Sequence, residues 1–305
     1  MNVALLIGVN YIGSNIQLGG SINSAVEMRK ILNKYYGYNL DNIILLRETH
    51  KNKSLRPTRK NIIRRFIQII NNAKKNTHIF FYFCGCGGMN GDENISSEFI
   101  HQIYPSDYLT KGSIYDYELN DIIRQSPCHI RAVIDCKRGI NNGLFFNLQN
   151  NVSPETSFIS SNLDYPLVYD TEISIPINAT IQLLSYINDY SGAQEQYSSK
   201  YKKIMSIFTT CFLTLLGVYK HGIIPNLRLL NNLNLILYNY NVNLYSGVPV
   251  LSSSKSLSAD QNSFIKKRIV KTSTSTTKVK KNNGSALLVY YFYKQSNTNN
   301  VKINV

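Results

Sequence analysis

The stretch Thr77–Gly88, THIFFYFCGCGG, decides the fold. From Thr77 to Phe83 it is apolar at nearly every position, as a strand covered on both faces must be. It then stops in Cys84-Gly85-Cys86-Gly87-Gly88, whose glycines suit a sharp loop at a strand end. A second apolar run, IRAVIDC (Ile130 to Cys136), ends as abruptly at Asp135 and Cys136 and is followed by Lys137-Arg138-Gly139. In open parallel sheets, chemistry gathers at the carboxyl ends of the strands, so these two ends are where a site is sought.

Working outward, strands and helices alternate. NVALLIGVN (Asn2 to Asn10) reads as a buried strand. A helix follows, with Ala25, Met28, Ile31 and Leu32 at helical spacing and Gly37 as its stop. NIILL (Asn42 to Leu46) is a strand, and the segment opening at Pro57-Thr58 carries Ile62, Phe66, Ile69 and Ile70 on one helical face. YDYELNDIIRQ is a short helix with acids in its first turn. Later come a strand at ATIQLLSYI (Ala179 to Ile187), a long buried helix over Lys200 to Gly222, and a helix from near Pro225 to about Leu237. GVPVLSSS reads as a closing edge strand. This order predicts an α/β fold, with helices on both faces of a mostly parallel sheet of about six strands. Lys137 to Ile175 reads as a long surface connection, Lys271 to Asn283 as a flexible linker, and Ala286 to Tyr293 as a late apolar run.

The 305 residues suffice for one large domain or two small ones, and 43% are hydrophobic. No apolar run is long enough to span a bilayer. The opening MNVALLIGVNYIG lacks a basic leader and reads as a first core strand, not a signal peptide. The five cysteines Cys84, Cys86, Cys128, Cys136 and Cys211 form an odd, sparse set, which points to reduced thiols and an intracellular, cytoplasmic setting. The formal charge is +15, and from Lys255 onward ten Lys/Arg face one acid, Asp260. Lys266, Lys267, Arg268, Lys271, Lys278, Lys280 and Lys281 give that end the character of a nucleic-acid or anionic-surface binder, without an ordered recognition motif.

Several segments in fixed order resemble the metacaspase branch of the caspase-like cysteine peptidases (peptidase C14). ALLIGVNYIGSNIQLGGSINSAVEMRKIL resembles the family's opening strand, its Gly-Cys-Ile-Asn-Asp-Ala loop and its first helix. YYGYNLDNIILLRE and PTRKNI follow. HIFFYFCGCGG stands where the family has a strand ending Ser-Gly-His-Gly-Gly, then come IYPSDY and SIYDYEL. AVIDCKRG stands where the family has Asp-Ser-Cys-His-Ser-Gly, and GVPVLSSS resembles its closing Gln-x-Pro-x-Leu-Ser. The resemblance implies a caspase-like three-layer α/β/α sandwich over residues 1–256. Residues 1–140 would be large-subunit-like, 141–176 a linker and 177–256 small-subunit-like, with 257–305 a basic extension.

The resemblance also implies a site. Cys86 holds the position of the family's histidine base, and Cys84 that of the preceding serine. Lys137 holds the position of the nucleophilic cysteine, with Cys136 one residue early as a fallback nucleophile. A thiol cannot replace an imidazole base, because its ordinary pKa is near 8.5 and it has no second nitrogen to orient it. Adjacent strand residues point to opposite faces, so Cys136 is expected to aim away from the site. Asp135 remains from the acidic pocket that receives Arg or Lys, whereas Ser24 stands where its partner acid belongs. Asp116 remains from the family's calcium-binding acids, but Tyr117, Ile100 and His101 replace others, so calcium is not expected and no cofactor is implied.

Other chemistries fit less well. Cys84 and Cys86 with Cys136 and His101 make a weak zinc pattern, and Cys-x-Cys is not redox spacing. His78, His129 and His221 read as structural. The reading is therefore a metacaspase-like pseudopeptidase that acts by binding a protein or peptide. The alternatives are an active endopeptidase cutting after Arg or Lys through Cys136, and a polyanion binder acting through the tail.

Overall fold

The computed structural model describes residues 1–90, 100–137, 150–152, 179–188, 195–220, 225–240, 247–254 and 264–265. Its centre is a sheet in the order β2-β1-β3-β6-β8-β11-β7. These strands are β1 (Asn2–Gly8), β2 (Ile43–Arg47), β3 (His78–Asn90), β6 (His129–Lys137), β7 (Asn150–Val152), β8 (Thr180–Asn188) and β11 (Gly247–Ser253). The β2-β1-β3-β6-β8 run is parallel throughout, while β8-β11 and β11-β7 are antiparallel. All five parallel strands therefore end on one side of the molecule. Beyond its parallel section, β3 runs on into an antiparallel annex with β4 (Ile100–Ile103), which pairs with β5 (Ile114–Tyr115).

Helices cover both faces. One face carries α1 (Ser21–Tyr36), α5 (Ile207–Val218) and α6 (Asn226–Tyr240), and its core unites Leu6, Phe80, Tyr82 and Val133 with Met28, Phe212 and Leu233. The other carries α2 (Arg59–Asn71) and α4 (Asp116–Ile123), and its core unites Leu5, Phe81, Phe83 and Ile134 with Ile62, Phe66 and Leu119. Consecutive residues of β1, β3 and β6 thus enter different cores, which explains their unbroken apolar sequences. The local signals act as expected. Thr58 Oγ1 accepts from Asn61 N–H at the start of α2, and Gly37 ends α1 at φ 73°.

Three elements depart from the sequence reading. The long connection contains β7, which pairs with the outer side of β11, so β11 is not an edge strand. The buried helix begins only at Ile207. Its first part is instead β10 (Lys203–Ser206), hairpin partner of β9 (Glu195–Ser198), because Ser206 caps α5 by accepting from Thr209 N–H at 3.4 Å. The annex strands β4 and β5 add to the six expected. A single turn, α3 (Tyr108–Lys111), precedes β5. Beyond residue 256, Phe264 and Ile265 pack into the α1/α5 core, and Arg131 Nε donates to Phe264 O at 2.9 Å. The basic residues after Ile265 and the late apolar run lie outside the described residues, as does most of 141–176.

The seam between α1 and β1 is closest at Gly8, where a Cβ would stand 2.7 Å from Ser21 O and 2.9 Å from Ile22 Cα. Gly8→Ala must push α1 off the sheet and is expected to lower stability by about 1–3 kcal/mol, the usual cost of overpacking. Urea unfolding measures this, and an unchanged midpoint would show that the seam is looser than described.

Candidate functional site

The carboxyl ends of β3 and β6 lie side by side in parallel register. Cys84 pairs with Asp135, Gly85 with Cys136, and Cys86 with Lys137. The two positions that the resemblance assigned to base and nucleophile are thus direct neighbours across the sheet. The alternation of side chains splits the rest of the site between its faces.

Asp135 and Cys84 belong to the α1/α5 face. The Asp135 carboxylate is buried. It accepts a short hydrogen bond from Thr209 Oγ1 and one from Cys84 Sγ at 3.6 Å. Tyr82 Oη lies 2.7 Å from Thr209 Oγ1, which completes a relay Tyr82–Thr209–Asp135. Burial pushes the Asp135 carboxyl up to about 6, against the pull of Ser206, Thr209 and Cys84, and the charge of Glu195 adds to the rise. Burial and then Asp135 push the Cys84 thiol up, so it stays protonated. Ser24 is buried in α1, where its Oγ accepts from Ser206 N–H at 3.1 Å.

Cys136 faces the α2/α4 core with Phe83 and Ile134, and Cys86 packs in the same cluster. Burial first, then Cys86 and Asp135, hold the Cys136 thiol well above its ordinary range. A thiolate is the attacking species, so this sulfur is poorly suited to attack. Cys86 is enclosed by tyrosines. Its N–H donates to Tyr11 Oη at 2.7 Å, Tyr11 Oη lies 2.7 Å from Tyr104 O, and Tyr104 N–H donates to Cys86 O at 3.0 Å. Tyr108 stacks on Tyr104 at 5.0 Å and meets Tyr11 edge-on at 6.0 Å. Gly85 is required here, since a Cβ would lie 2.7 Å from Tyr11 Oη.

Tyr11 itself sits at φ 51°, a left-handed conformation that non-glycine residues avoid. Glu48 holds it there, its carboxylate accepting from the backbone N–H groups of Asn10, Tyr11 and Ile12. Sequence reasoning did not single out Tyr11 or Glu48, nor Glu195, whose carboxylate accepts from Gly19 and Gly20 N–H at 2.7 Å each at the start of α1. The paired glycines before the helix were the one local signal for that contact.

The other sequence candidates are dispersed. Asp116 is buried in α4 and accepts from Tyr117 N–H at 2.7 Å and His101 N–H at 3.4 Å; burial raises it to about 6. His101 is buried, and desolvation lowers it to about 4. Cys84 lies on the opposite face from Cys86 and Cys136, so the cysteines do not converge as a zinc set. Among the described residues no three His, Cys, Asp or Glu side chains form a metal cluster. His78 and His129 stack at 5.0 Å at the amino ends of their strands, away from the site. His221 and the side chain of Lys137 lie outside the described residues.

The raised carboxyl of Asp135 has a consequence for stability. A folded-state value near 6, against about 3.9 unfolded, means that the native state binds more protons between those values. Stability therefore falls as pH rises from about 4 to 6, by about 2–3 kcal/mol from this group. Asp135→Asn should remove that share of the slope. Thermal melts of both proteins at pH 4.5 and 7.5 measure it, and an identical pH dependence in the two would contradict an uncompensated carboxylate.

Comparison with known proteins agrees with this geometry. Residues 2–141 match the family described as metacaspase, peptidase C14 domain. Metacaspase-1B of Aspergillus niger is 32% identical over 196 residues, 61% of this chain and 40% of the relative. Metacaspase-1 of Debaryomyces hansenii is 31% identical over 225 residues, 68% of this chain and 46% of the relative. The chain thus spans less than half the length of these curated relatives. Among solved structures, protein GSU0716 of Geobacter sulfurreducens superposes with a TM-score of 0.52 at 13% identity, covering 87% of this chain and 98% of that one; this likeness is one of fold. Residues 2–141, which carry four of the five parallel strands of the sheet, thus match the metacaspase, peptidase C14 domain family.

Proposed function

We propose that this chain is a metacaspase homologue without peptidase activity, and that it works by binding a protein or peptide that offers a basic side chain. The observation that carries this reading is the β3–β6 register. Where the chemistry needs an imidazole beside a thiolate, Cys86 stands beside Lys137. The one neighbouring thiol that could substitute, Cys136, is buried on the other face from Asp135 and held protonated. Among the described residues no histidine bears on it. Asp135 supports the binding half of the proposal, because a buried carboxylate satisfied only by hydroxyl and thiol donors gains from a cation.

The donor set argues against calcium in this role. Calcium takes six to eight oxygen ligands. Around Asp116 one carboxylate is already engaged by two backbone N–H groups, and the neighbouring buried side chain is an imidazole. The five cysteines form no disulfide, which supports an intracellular setting. No helix among the described residues is long and apolar enough to cross a membrane. A contribution from the basic residues 266–281 to partner binding is compatible with this function and separable from it by truncation after Ile265.

The test is direct. Purified protein incubated with fluorogenic Arg and Lys peptides, with and without calcium, is expected to release no more fluorophore than buffer. The Cys136→Ala variant should be indistinguishable from it. Turnover that disappears in Cys136→Ala would establish an active endopeptidase instead. Calcium is expected to leave the melting temperature unchanged, and a rise that vanishes in Asp116→Ala would restore a calcium site.

A further inference from the structure

The α1/α5 face holds a second contact, which the candidate site does not use. Phe264 is 1% exposed and Ile265 8% exposed, although both follow the closing strand β11, which ends at Ser253. The Phe264 ring meets Phe212 of α5 edge-on at 6.3 Å. Its carbonyl oxygen accepts from Arg131 Nε at 2.9 Å, and Arg131 Nη1 donates to Ile130 O at 3.3 Å. Arg131 is the third residue of β6. It lies about 13 Å from Asp135 toward the amino end of that strand, and on the same face. A short piece of the C-terminal extension is thus seated in a socket made of an aromatic ring and a guanidinium.

This occupant matches the guanidinium poorly. Among the described residues no carboxylate pairs with Arg131, and its acceptors are main-chain carbonyls. Burial opposes its charge, and the ionisable group that acts on it, Tyr38, is a phenol that burial keeps neutral. A guanidinium taken from water without a counter-charge is costly, and a neutral carbonyl recovers only part of that cost. Nε and Nη2 form the edge by which a guanidinium grips a carboxylate with two parallel bonds. Here Nε is given to one carbonyl, and Nη2 has no partner among the described residues. Gln182, opposite Arg131 in the β6–β8 register, is 4% exposed, and its side-chain oxygen also lacks a hydrogen-bond partner. The apolar part of the socket is filled while its polar part is left short.

We infer that this socket is a docking site for a partner chain that ends in an aromatic residue with a free α-carboxylate, and that Phe264 fills it from within the same chain until such a partner arrives. The partner's carboxylate stands where Phe264 O stands now and engages Arg131 through Nε and Nη2, while its ring packs on Phe212. The match is one of charge, because the carboxylate supplies the counter-ion that Arg131 lacks. The internal segment competes because it is tethered, which holds its effective concentration at about the millimolar level. A partner displaces it by the stronger contact with the guanidinium, not by a better apolar fit. The socket lies toward the opposite end of the strands from Cys86, Asp135 and Lys137, so it can be filled independently of the proposed basic side chain.

The probe is a fluorescent peptide with the sequence of Asp260 to Phe264, made once with a free C-terminal carboxylate and once with a C-terminal amide. Phe264→Ala in the full chain empties the socket. That variant should bind the free acid about tenfold more tightly than the amide, the worth of one charge-assisted pair. Arg131→Gln added to it should abolish the difference. The native chain should bind the acid more weakly than Phe264→Ala does, because its own segment competes. No binding of the acid, equal affinity for acid and amide, a difference that survives Arg131→Gln, or equal binding by the native and Phe264→Ala chains would each overturn the inference. Melting curves show whether each variant folds. If Phe264→Ala does not, the native chain decides. Excess free acid should then speed hydrogen exchange around Phe264 and excess amide should not, whereas exchange unchanged by the acid would overturn the docking site.

Discussion

The parallel pairing of β3 with β6, and the register that sets Cys84 against Asp135, is the constraint on which the carboxyl end of this sheet depends. In a strand the side-chain period is two, so a shift of one residue moves a group to the other core. Asp135 faces α1 and α5, and Cys136 faces α2 and α4. No local adjustment of Cys136 can bring its sulfur to the face of Asp135 without a bulge in a strand paired on both sides, by β3 and by β8. The separation of the nucleophile candidate from the Asp135 carboxylate is thus a property of the sheet, not of one rotamer.

A second constraint is local and strained. Tyr11 in a left-handed conformation costs about 1–2 kcal/mol. Three backbone N–H groups gathered on the Glu48 carboxylate offset that cost, since hydrogen bonds to a charged acceptor are each worth more than neutral ones. The result is a phenol hydroxyl lodged between the backbone of Cys86 and Tyr104. Burial keeps that phenol neutral, so it serves as a fixed donor and acceptor joining the first loop to the strand end. Position 86 is held firmly by these main-chain contacts, whatever its side chain.

The parts of the fold that were legible in the sequence are those whose signal is local. The six apolar runs were readable because each strand must satisfy two cores. The helix starting after Thr58 was readable because its cap and its apolar period agree. β7 escaped because Asn150, Asn151 and Val152 carry no apolar period and form a strand only by pairing with β11. β10 escaped because Ile204 and Met205 are as apolar as the helix they precede, and the boundary rests on one Ser206 cap. At the site, the family motifs offered Asp135, Cys86 and Lys137 as candidates, and the β3–β6 register sets the last two opposite each other. Glu48 and Glu195 were not, because each acts on backbone N–H groups of a distant segment, and a backbone donor leaves no trace in side-chain identity.

The buried carboxylate of Asp135 is not needed for packing. The two cores close without Asp135: Phe80, Tyr82 and Val133 on one side and Phe81, Phe83 and Ile134 on the other supply the burial that holds β3 to β6. At neutral pH the ionised Asp135 opposes folding, since its carboxyl is raised and no cation among the described residues neutralises it. An asparagine or threonine would fill the same space and accept from Thr209 without a charge to desolvate. Groups that weaken a fold without helping it pack are the ones to suspect of function.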